Sequence, residues 1–212
     1  MSNYVININN LSKTTREKKI LDNINLQIES GKIYGIIGRN GSGKTMLFKA
    51  ICGLIKPTSG ELFVFDQSIH KGDLPIDTGM IIENPGFLLQ YSGMKNLKML
   101  ASINNVIDEE EIKRTIELVG LDPEDKTPVK KYSLGMKQRL GIAQAIMEKP
   151  KLLILDEPMN SLDDDGVELV RNILLNLKKE SVTVLIASHI KEDIETLCDE
   201  VYIMSKGKLE KK

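Results

Sequence analysis

The sequence predicts an α/β fold in which a largely parallel sheet carries an inserted helical subdomain. Three observations support this prediction. Strand patterns dominate the first third of the chain, helical patterns dominate the middle, and apolar strands alternate with amphipathic helices in the last third. Alternation of strands and helices around a helical insert is typical of an α/β core with a small α-subdomain.

The first third of the chain is rich in predicted strands. Residues 4–8 and 24–28 alternate polar and apolar side chains, as half-buried strands do. Residues 32–37 are apolar and end at a glycine, and the turn Pro57-Thr58-Ser59-Gly60 precedes a strand at residues 61–65. Residues 80–82 have the composition of the end of a further strand.

Helical patterns fill the middle third, at residues 96–103, 108–119 and 133–148. Asp108 and Glu111 have the spacing of a capping box at the start of the second helix. Gly120 stands where that helix should end. A polar linker that contains proline, residues 121–128, then leads to the third helix.

The last third alternates strands at residues 151–155, 182–187 and 201–204 with helices at residues 167–179 and 190–198. The first two of these strands are continuous apolar runs. Such runs are expected of parallel strands that are buried on both faces. The first of these helices has an apolar stripe on one side, which would pack on the sheet.

Length and charge narrow the classes of protein to which the chain can belong. The 212 residues are 41% hydrophobic and 28% charged, a composition typical of folded globular proteins rather than disordered ones. The chain has 29 basic and 30 acidic residues, for a formal net charge of -1. This balance argues against a nucleic-acid partner, since nucleic-acid binders usually carry a basic excess.

Cysteine content and hydropathy bear on the compartment. Two cysteines form neither a disulfide scaffold nor, by themselves, a zinc cluster, which favours a reducing compartment. No apolar run approaches the ~18 residues of a membrane span. The first ten residues lack the basic start and apolar stretch of a signal peptide. We therefore expect a cytoplasmic protein that serves a membrane only through a partner.

One segment matches the phosphate-loop pattern G-x-x-x-x-G-K-[ST], namely Gly38-Arg39-Asn40-Gly41-Ser42-Gly43-Lys44-Thr45. Its glycines permit a tight turn whose N–H groups point at phosphate oxygens, and the following helix adds its positive N-terminal dipole. Lys44 can reach the β- and γ-phosphates, and the Thr45 hydroxyl can ligate Mg²⁺. The alternative is a glycine-rich turn with an unrelated lysine, but the strand before it and the helix after it favour a nucleoside triphosphate site.

Two carboxylates follow the apolar strand of residues 151–155. Asp156 at the strand tip can hold Mg²⁺. Glu157 points differently and can orient or deprotonate the attacking water. An ordinary strand followed by an acidic turn is the alternative, and the phosphate loop upstream favours the catalytic interpretation.

In these motifs, the sequence resembles the ATP-binding cassette (ABC) ATPases. Tyr132-Ser133-Leu134-Gly135-Met136 stands where the family has its LSGGQ-like signature. Ser133 and Gly135 would offer a hydroxyl and N–H groups to an anion at a helix N-terminus, whereas in isolation the stretch would be a plain capped helix. Asp163 corresponds to the D-loop, and His189 to the switch histidine that contacts the γ-phosphate.

The resemblance extends over about residues 5–208 and implies the fold of that family, a P-loop NTPase core with an antiparallel β-subdomain. It implies a single domain over residues 1–212, with the core at residues 1–86 and 150–212 and the helical signature subdomain at residues 87–149. ATP and Mg²⁺ are the implied cofactors.

The resemblance also implies partners. Two nucleotide-binding subunits, as a homodimer or a heterodimer, would hold each ATP between the phosphate loop of one and residues 133–135 of the other. Separate integral membrane permease subunits would carry the cargo, with this chain on the inner face of the plasma membrane.

The sequence departs from the family pattern at three places, one of which is the signature, where Leu134 and Met136 replace the usual Gly and Gln and leave Ser133 and Gly135 in place. Glu83 stands where the family usually has the glutamine of its Q-loop, and Gln90 falls too late to replace it. A carboxylate there adds negative charge near Mg²⁺ and the attacking water, so Glu83 is both a catalytic and a metal-binding candidate; the alternative is a solvated loop acid. Residues 12–16 lack the aromatic that the family stacks on adenine, so Arg16 is a candidate to lie over the base.

Glu83 and the Ser-Leu-Gly-Met signature are together similar to the subfamily of bacitracin and lantibiotic exporters, which give resistance or immunity to Gram-positive bacteria. We therefore predict the ATP-hydrolysing subunit of an ABC exporter whose membrane subunit recognises the cargo. The alternative is a soluble ABC-type ATPase that acts as a nucleotide-dependent switch in a non-transport complex. Such proteins usually add tandem cassettes, coiled coils or basic extensions, and this sequence has none.

Overall fold

A computed structural model describes residues 4–16, 18–70 and 72–212 of the chain. The first three residues of the N-terminal stretch considered for a signal peptide lie outside the described residues. Within the described ranges, none of the helices has the length and apolar character that crossing a bilayer requires.

An antiparallel sheet forms near the N-terminus, from strands β1 (Tyr4–Thr15), β2 (Lys18–Glu29), β4 (Ser59–Val64) and β5 (Gln67–Ser68) in the order β2-β1-β4-β5. The pairing of β1 with β2 shifts register several times, which marks bulges. Both strands are longer than the alternation of residues 4–8 and 24–28 predicts, because bulges interrupt the period of two.

A second, mostly parallel sheet is built from β3 (Ile33–Ile37), β6 (Thr78–Ile81), β7 (Leu152–Asp156), β8 (Thr183–Ala187), β9 (Glu200–Ser205) and β10 (Lys208–Lys211), in the order β10-β9-β3-β8-β7-β6. β3 pairs in parallel with β8 and β9, and β7 pairs in parallel with β6 and β8. β10 folds back antiparallel on β9. With its helices, this arrangement confirms the predicted α/β fold with an antiparallel β-subdomain.

The helices within the described residues are α1 (Lys44–Ile51), α2 (Gly93–Asn104), α3 (Glu109–Leu118), α4 (Leu134–Ile146), α5 (Asp164–Lys179) and α6 (Lys191–Leu197). Helices α2, α3 and α4 lie between β6 and β7 in the chain, where the helical insert was predicted. The Asp108 side chain accepts a hydrogen bond from the Glu111 N–H, as a capping residue should. The Glu111 carboxylate instead pairs with Arg114 and Lys149.

Two clusters of buried side chains form the core. One cluster packs the helices α2 to α5 against the parallel sheet and includes Leu97, Leu140 and Leu153. The other packs α1 between the two sheets and includes Ile6 and Phe48. Each fully buried aliphatic or aromatic side chain stabilises the fold by about 1.5–3 kcal/mol relative to an exposed one.

The sheet order sets the position of the site. Strands β3, β8 and β7 are neighbours and run parallel, so their carboxyl ends lie at one edge of the sheet. The phosphate loop follows β3, His189 follows β8, and Glu157 follows β7. Ligands of open α/β sheets bind at this edge.

Candidate active site

The phosphate loop ends at the N-terminus of α1 in an uncapped turn. Gly43 is the N-cap residue, with φ of 119° and ψ of 0°, and no side chain bonds to the first N–H groups of the helix. Residues with a side chain rarely adopt this φ, and a Cβ at Gly43 would also lie 3.1 Å from the Ile20 carbonyl oxygen, so glycine is favoured there. The first N–H groups of α1 thus have no side-chain cap and favour an anion.

Lys44 extends from the start of α1 back across the loop. Its side chain is only 6% exposed. The ammonium Nζ donates a hydrogen bond of 2.7 Å to the Gly38 carbonyl and lies 3.7 Å from Glu157 Oε1. This buried cation links the loop to the end of β7.

Thr45 and Asp156 are in direct contact. The Thr45 hydroxyl donates a hydrogen bond of 2.6 Å to Asp156 Oδ2. Burial raises the pKa of Asp156, and the hydrogen bond from Thr45 only partly opposes this effect. The neighbouring charges of Glu157 and Glu83 raise the pKa further. The site therefore concentrates negative charge in a region with little water, where a cation would be stabilised.

Glu157 is held from three sides. Its N–H donates to the Ala187 carbonyl at the end of β8, at 2.9 Å. Its Oε2 accepts a hydrogen bond of 3.3 Å from the His189 N–H and lies 2.7 Å from His189 Nδ1. Its Oε1 faces Lys44. The carboxylate is therefore fixed between the phosphate loop and the segment after β8.

A cavity of about 490 Å³ opens over these groups. It is lined by Ile20, the loop residues 39–46, Glu83, Asn84, Gln138, Asp156, Glu157, Asn160 and Ser161. Glu83, Glu157 and Ser161 all have positive φ, between 53° and 68°. Backbone strain of this kind, in residues other than glycine, clusters at functional sites, where the surrounding structure maintains it.

Six lining residues are absent from the predicted site: Ile20, Met46, Asn84, Gln138, Asn160 and Ser161. Ile20 lies in β2, and a single isoleucine in a strand gives no sequence signal. Gln138 donates a hydrogen bond of 2.9 Å to the Pro158 carbonyl, a contact across 20 residues. Asn160 and Ser161 follow Glu157 closely in the chain, and this proximity could have identified them.

Glu83 lines the cavity and forms an ion pair. Its Oε1 lies 2.8 Å from Lys49 Nζ, on α1. The Glu83 side chain is 60% exposed and that of Lys49 is 25% exposed. Glu83 and Asp156 therefore line the same cavity, and Lys49 is the basic partner of Glu83.

Other predicted residues lie outside the cavity lining. Ser133 and Asp163 are the N-caps of α4 and α5, and they accept hydrogen bonds from the N–H groups of Met136 and Gly166. Gly135 lies in the first turn of α4, on the Ser161 side. Arg16 is not among the lining residues. The one-chain site thus does not include the signature residues.

The donor set fits a nucleoside triphosphate and a magnesium ion. The Ser42 hydroxyl is buried with no hydrogen-bond partner within the described residues. A Cβ at Gly41 would meet nothing within 4 Å, so the loop faces open space. No group of three or more His, Cys, Asp or Glu side chains among the described residues could hold a metal alone. Magnesium usually binds one or two protein oxygens together with phosphate and water, which suits Thr45 and Asp156.

The comparisons with known proteins agree with this geometry. A family model described as ABC transporter matches residues 21–160, which run from β2 to just beyond β7. The chain belongs to the ABC transporter family. As a member of it, the chain is an ATP-binding subunit that hydrolyses ATP.

Several relatives in this family are similar over nearly the whole chain. The ABC transporter ATP-binding protein YybJ of Bacillus subtilis is 47% identical over 97% of this chain and 95% of its own. The bacitracin transport ATP-binding protein BcrA of Bacillus licheniformis is 43% identical over 97% of this chain and 68% of its own. The lantibiotic transport ATP-binding protein SrtF of Streptococcus pyogenes is 40% identical over 97% of this chain and 89% of its own.

Solved structures agree on the fold of this ABC subunit. The dimeric ATP-binding cassette MJ0796, bound to ADP and Pi, superposes with a TM-score of 0.87 over 97% of this chain and 98% of its own. The two sequences are 21% identical, so this likeness concerns the fold alone.

Proposed function

We propose that this ABC subunit powers export through separate membrane permease subunits, and that the residues around the 490 Å³ cavity carry out the hydrolysis. One observation carries the proposal. The Glu157 carboxylate lies between Lys44 and His189, beside the contact of Thr45 with Asp156. A base held beside a phosphate-binding lysine and a metal-binding pair is the arrangement that phosphoryl transfer to water needs.

Each loop residue has a proposed role in binding ATP. Residues 38–43 wrap the phosphates with backbone N–H groups, and the N-terminus of α1 adds its positive dipole. Lys44 neutralises the β- and γ-phosphates. Thr45 and Asp156 would hold Mg²⁺, which would offset phosphate charge as the bond to the leaving group breaks.

The proposed base is Glu157. It accepts the proton of the attacking water while the His189 contacts hold its Oε2 in place. His189 is also proposed to contact the γ-phosphate. Glu83 is proposed as an additional carboxylate near the water and metal, in the position where the family usually has glutamine.

We further propose that residues 1–86 and 150–212 form the ATP-binding core with its β-subdomain, and that residues 87–149 form the helical signature subdomain. The position of α2, α3 and α4 between β6 and β7 supports this division. In the working complex, a second nucleotide-binding subunit would bring Ser133, Gly135 and Asp163 to the ATP of this chain. The exposure of Ser133 and its absence from the cavity lining support this view.

The cargo is proposed from the relatives. BcrA is named for bacitracin transport and SrtF for lantibiotic transport, and both are at least 40% identical to this chain. We propose that this subunit serves a peptide-antibiotic exporter, bound to its permease at the inner face of the plasma membrane. Resistance or immunity would be the outcome for the cell.

Glu157→Gln tests the proposed base. We expect the purified variant to bind ATP as tightly as the unchanged chain but to lose about 100-fold or more in hydrolysis rate, since general-base catalysis contributes about 10²–10⁴-fold. Steady-state phosphate release and nucleotide-binding fluorescence measure the two quantities. The matched control is Glu110→Gln on α3, whose side chain is 68% exposed and which should keep both properties.

The proposed cargo is tested in cells with the unchanged chain and Glu157→Gln. A strain that carries the chain with its cognate permease should tolerate more bacitracin or lantibiotic than a strain without it, and Glu157→Gln should remove the difference. Equal hydrolysis by the unchanged chain and Glu157→Gln would contradict the assigned base. Hydrolysis without any change in tolerance would contradict the cargo alone.

A further inference from the structure

A buried ionic network lies directly behind the segment that carries His189. Asp193, on α6, is fully buried, and Arg171, on α5, has a side chain that is 12% exposed. Two Arg171 nitrogens donate to Asp193 Oδ1, Nε at 3.1 Å and an Nη at 2.6 Å. The third nitrogen of the guanidinium reaches the exposed Glu192 at 3.2 Å.

Ser188 connects this network to the loop. Its hydroxyl is buried, donates a hydrogen bond of 3.2 Å to Asp193 Oδ2, and accepts one of 3.1 Å from the Ile190 N–H. The two bonds hold the residues on either side of His189. His189 itself is exposed and directs both its N–H and its Nδ1 at one oxygen of Glu157.

Stability alone is a poor explanation of this arrangement. A buried ion pair costs desolvation that its attraction barely offsets, so apolar residues of the same size would often serve the fold as well. Charged hydrogen bonds do fix geometry, and here the carboxylate is held at both oxygens, at Oδ1 by two Arg171 nitrogens and at Oδ2 by the Ser188 hydroxyl. Asp193 therefore presents Oδ2 to Ser188 in one orientation.

We propose that Ser188, Asp193 and Arg171 are positioning residues that hold His189 against Glu157. The inference rests on the roles proposed above for Glu157 and His189. Because Arg171 lies on α5, whose N-cap is the D-loop residue Asp163, the network also joins that helix to the loop that contacts the proposed base.

Ser188→Ala removes the hydrogen bonds of the Ser188 hydroxyl with Asp193 and the Ile190 N–H. It leaves the Arg171–Asp193 pair intact, so no buried charge loses its partner. The chain has two histidines, so their ring resonances can be followed separately by NMR at fixed pH, with His70 as the internal reference. In the full chain without nucleotide, we expect the His189 resonance of Ser188→Ala to move toward its position in Glu157→Ala. The His70 resonance should stay in place.

The same variant should lose about 10-fold or more in kcat while its KM for ATP changes little, since small displacements of a catalytic group can cost up to about 100-fold. Ser102→Ala is the matched control: the Ser102 hydroxyl donates to the Met99 carbonyl on the surface of α2, and the variant should match the unchanged chain. An unmoved His189 resonance, or an unchanged kcat, in Ser188→Ala overturns the inference. Failure of the unchanged chain to hydrolyse ATP would instead contradict the proposed function.

Discussion

Asp156 carries a charge that the fold buries at the tip of a strand. Its side chain is 6% exposed, and burial together with the charges of Glu157 and Glu83 raises its pKa. A raised carboxyl pKa means that the folded state disfavours the ionised form, so this charge lowers the stability of the chain without ligand. A cation bound there would relieve the cost.

Asp156→Asn should therefore stabilise the nucleotide-free protein. The same change should reduce the gain in ATP affinity that Mg²⁺ gives, because it removes a proposed metal ligand. Asparagine can still accept the Thr45 hydrogen bond but carries no charge. We expect a gain of about 0.5–2 kcal/mol in the free energy of unfolding, the range typical of stabilising changes at functional sites. Urea titration followed by circular dichroism measures this gain, and a loss of stability in the variant would contradict the cost assigned to the buried charge of Asp156.

Single residues also explain why the loop tolerates little change. Gly43 adopts a left-handed conformation and lies against Met204, and Gly38 approaches the Met204 carbonyl so closely that a Cβ would lie 2.3 Å from that oxygen. The hairpin of β9 and β10 thus presses on the outer side of the phosphate loop. Contact with the hairpin backbone favours glycine at position 38, and the left-handed conformation favours it at position 43.

At the scale of elements, Asp199 joins the start of β9 to β3 and α5. It accepts hydrogen bonds from the Ile33 N–H and from Lys178. Burial raises the pKa of Asp199, but these two hydrogen bonds outweigh burial and hold the pKa below its usual value. The ionised form is thus favoured by the fold.

Asp199→Asn should destabilise the chain in a pH-dependent way. A depressed pKa contributes stability above the unfolded value of about 3.9, and this contribution is lost as the pH falls through the folded value. At pH 7 we expect a loss of about 1 kcal/mol, since part of the side chain is exposed and solvent screens it. Denaturant titrations at pH 7 and pH 3 should give a smaller difference at pH 3; a constant difference would show that the charge plays no part.

At the scale of the whole molecule, the phosphate loop lies at the sheet edge, and Ser133 and Gly135 are not among the residues that line its cavity. Leu134, in the first turn of α4 beside Ser133, is 70% exposed. In the dimer that we propose, this exposed leucine beside the N-terminus of α4 would contact the second subunit. ATP between the two copies would join them, and hydrolysis would separate them.

Glu157→Gln with ATP and Mg²⁺ should therefore elute as a dimer in size-exclusion chromatography with light scattering, and as a monomer without nucleotide. Adding Leu134→Glu should abolish the dimer and preserve nucleotide binding by each chain, because a carboxylate there would face phosphate. If Glu157→Gln, which lacks the proposed base, elutes as a monomer with ATP and Mg²⁺, this result would contradict the proposal that two subunits share each ATP.

The sequence alone determined the features that depend on near neighbours in the chain. The caps at Asp108, Ser133 and Asp163 are each satisfied by an N–H three residues later, so a short window of sequence contains the whole interaction. The phosphate loop and the strand that ends at Asp156 are likewise local patterns. These features fix the fold class and the family.

Only the tertiary structure decided which of these patterns meet. The contact of Glu157 with His189 spans 32 residues and depends on β7 and β8 being neighbours, and the pair of Lys49 with Glu83 spans 34. Strand β10 is short and charged, and it forms because β9 offers it backbone partners. Ile20 joins the cavity because β2 lies beside the loop. Sheet order and backbone pairing are set by the packing of the whole core, and so no local window of the sequence reveals them.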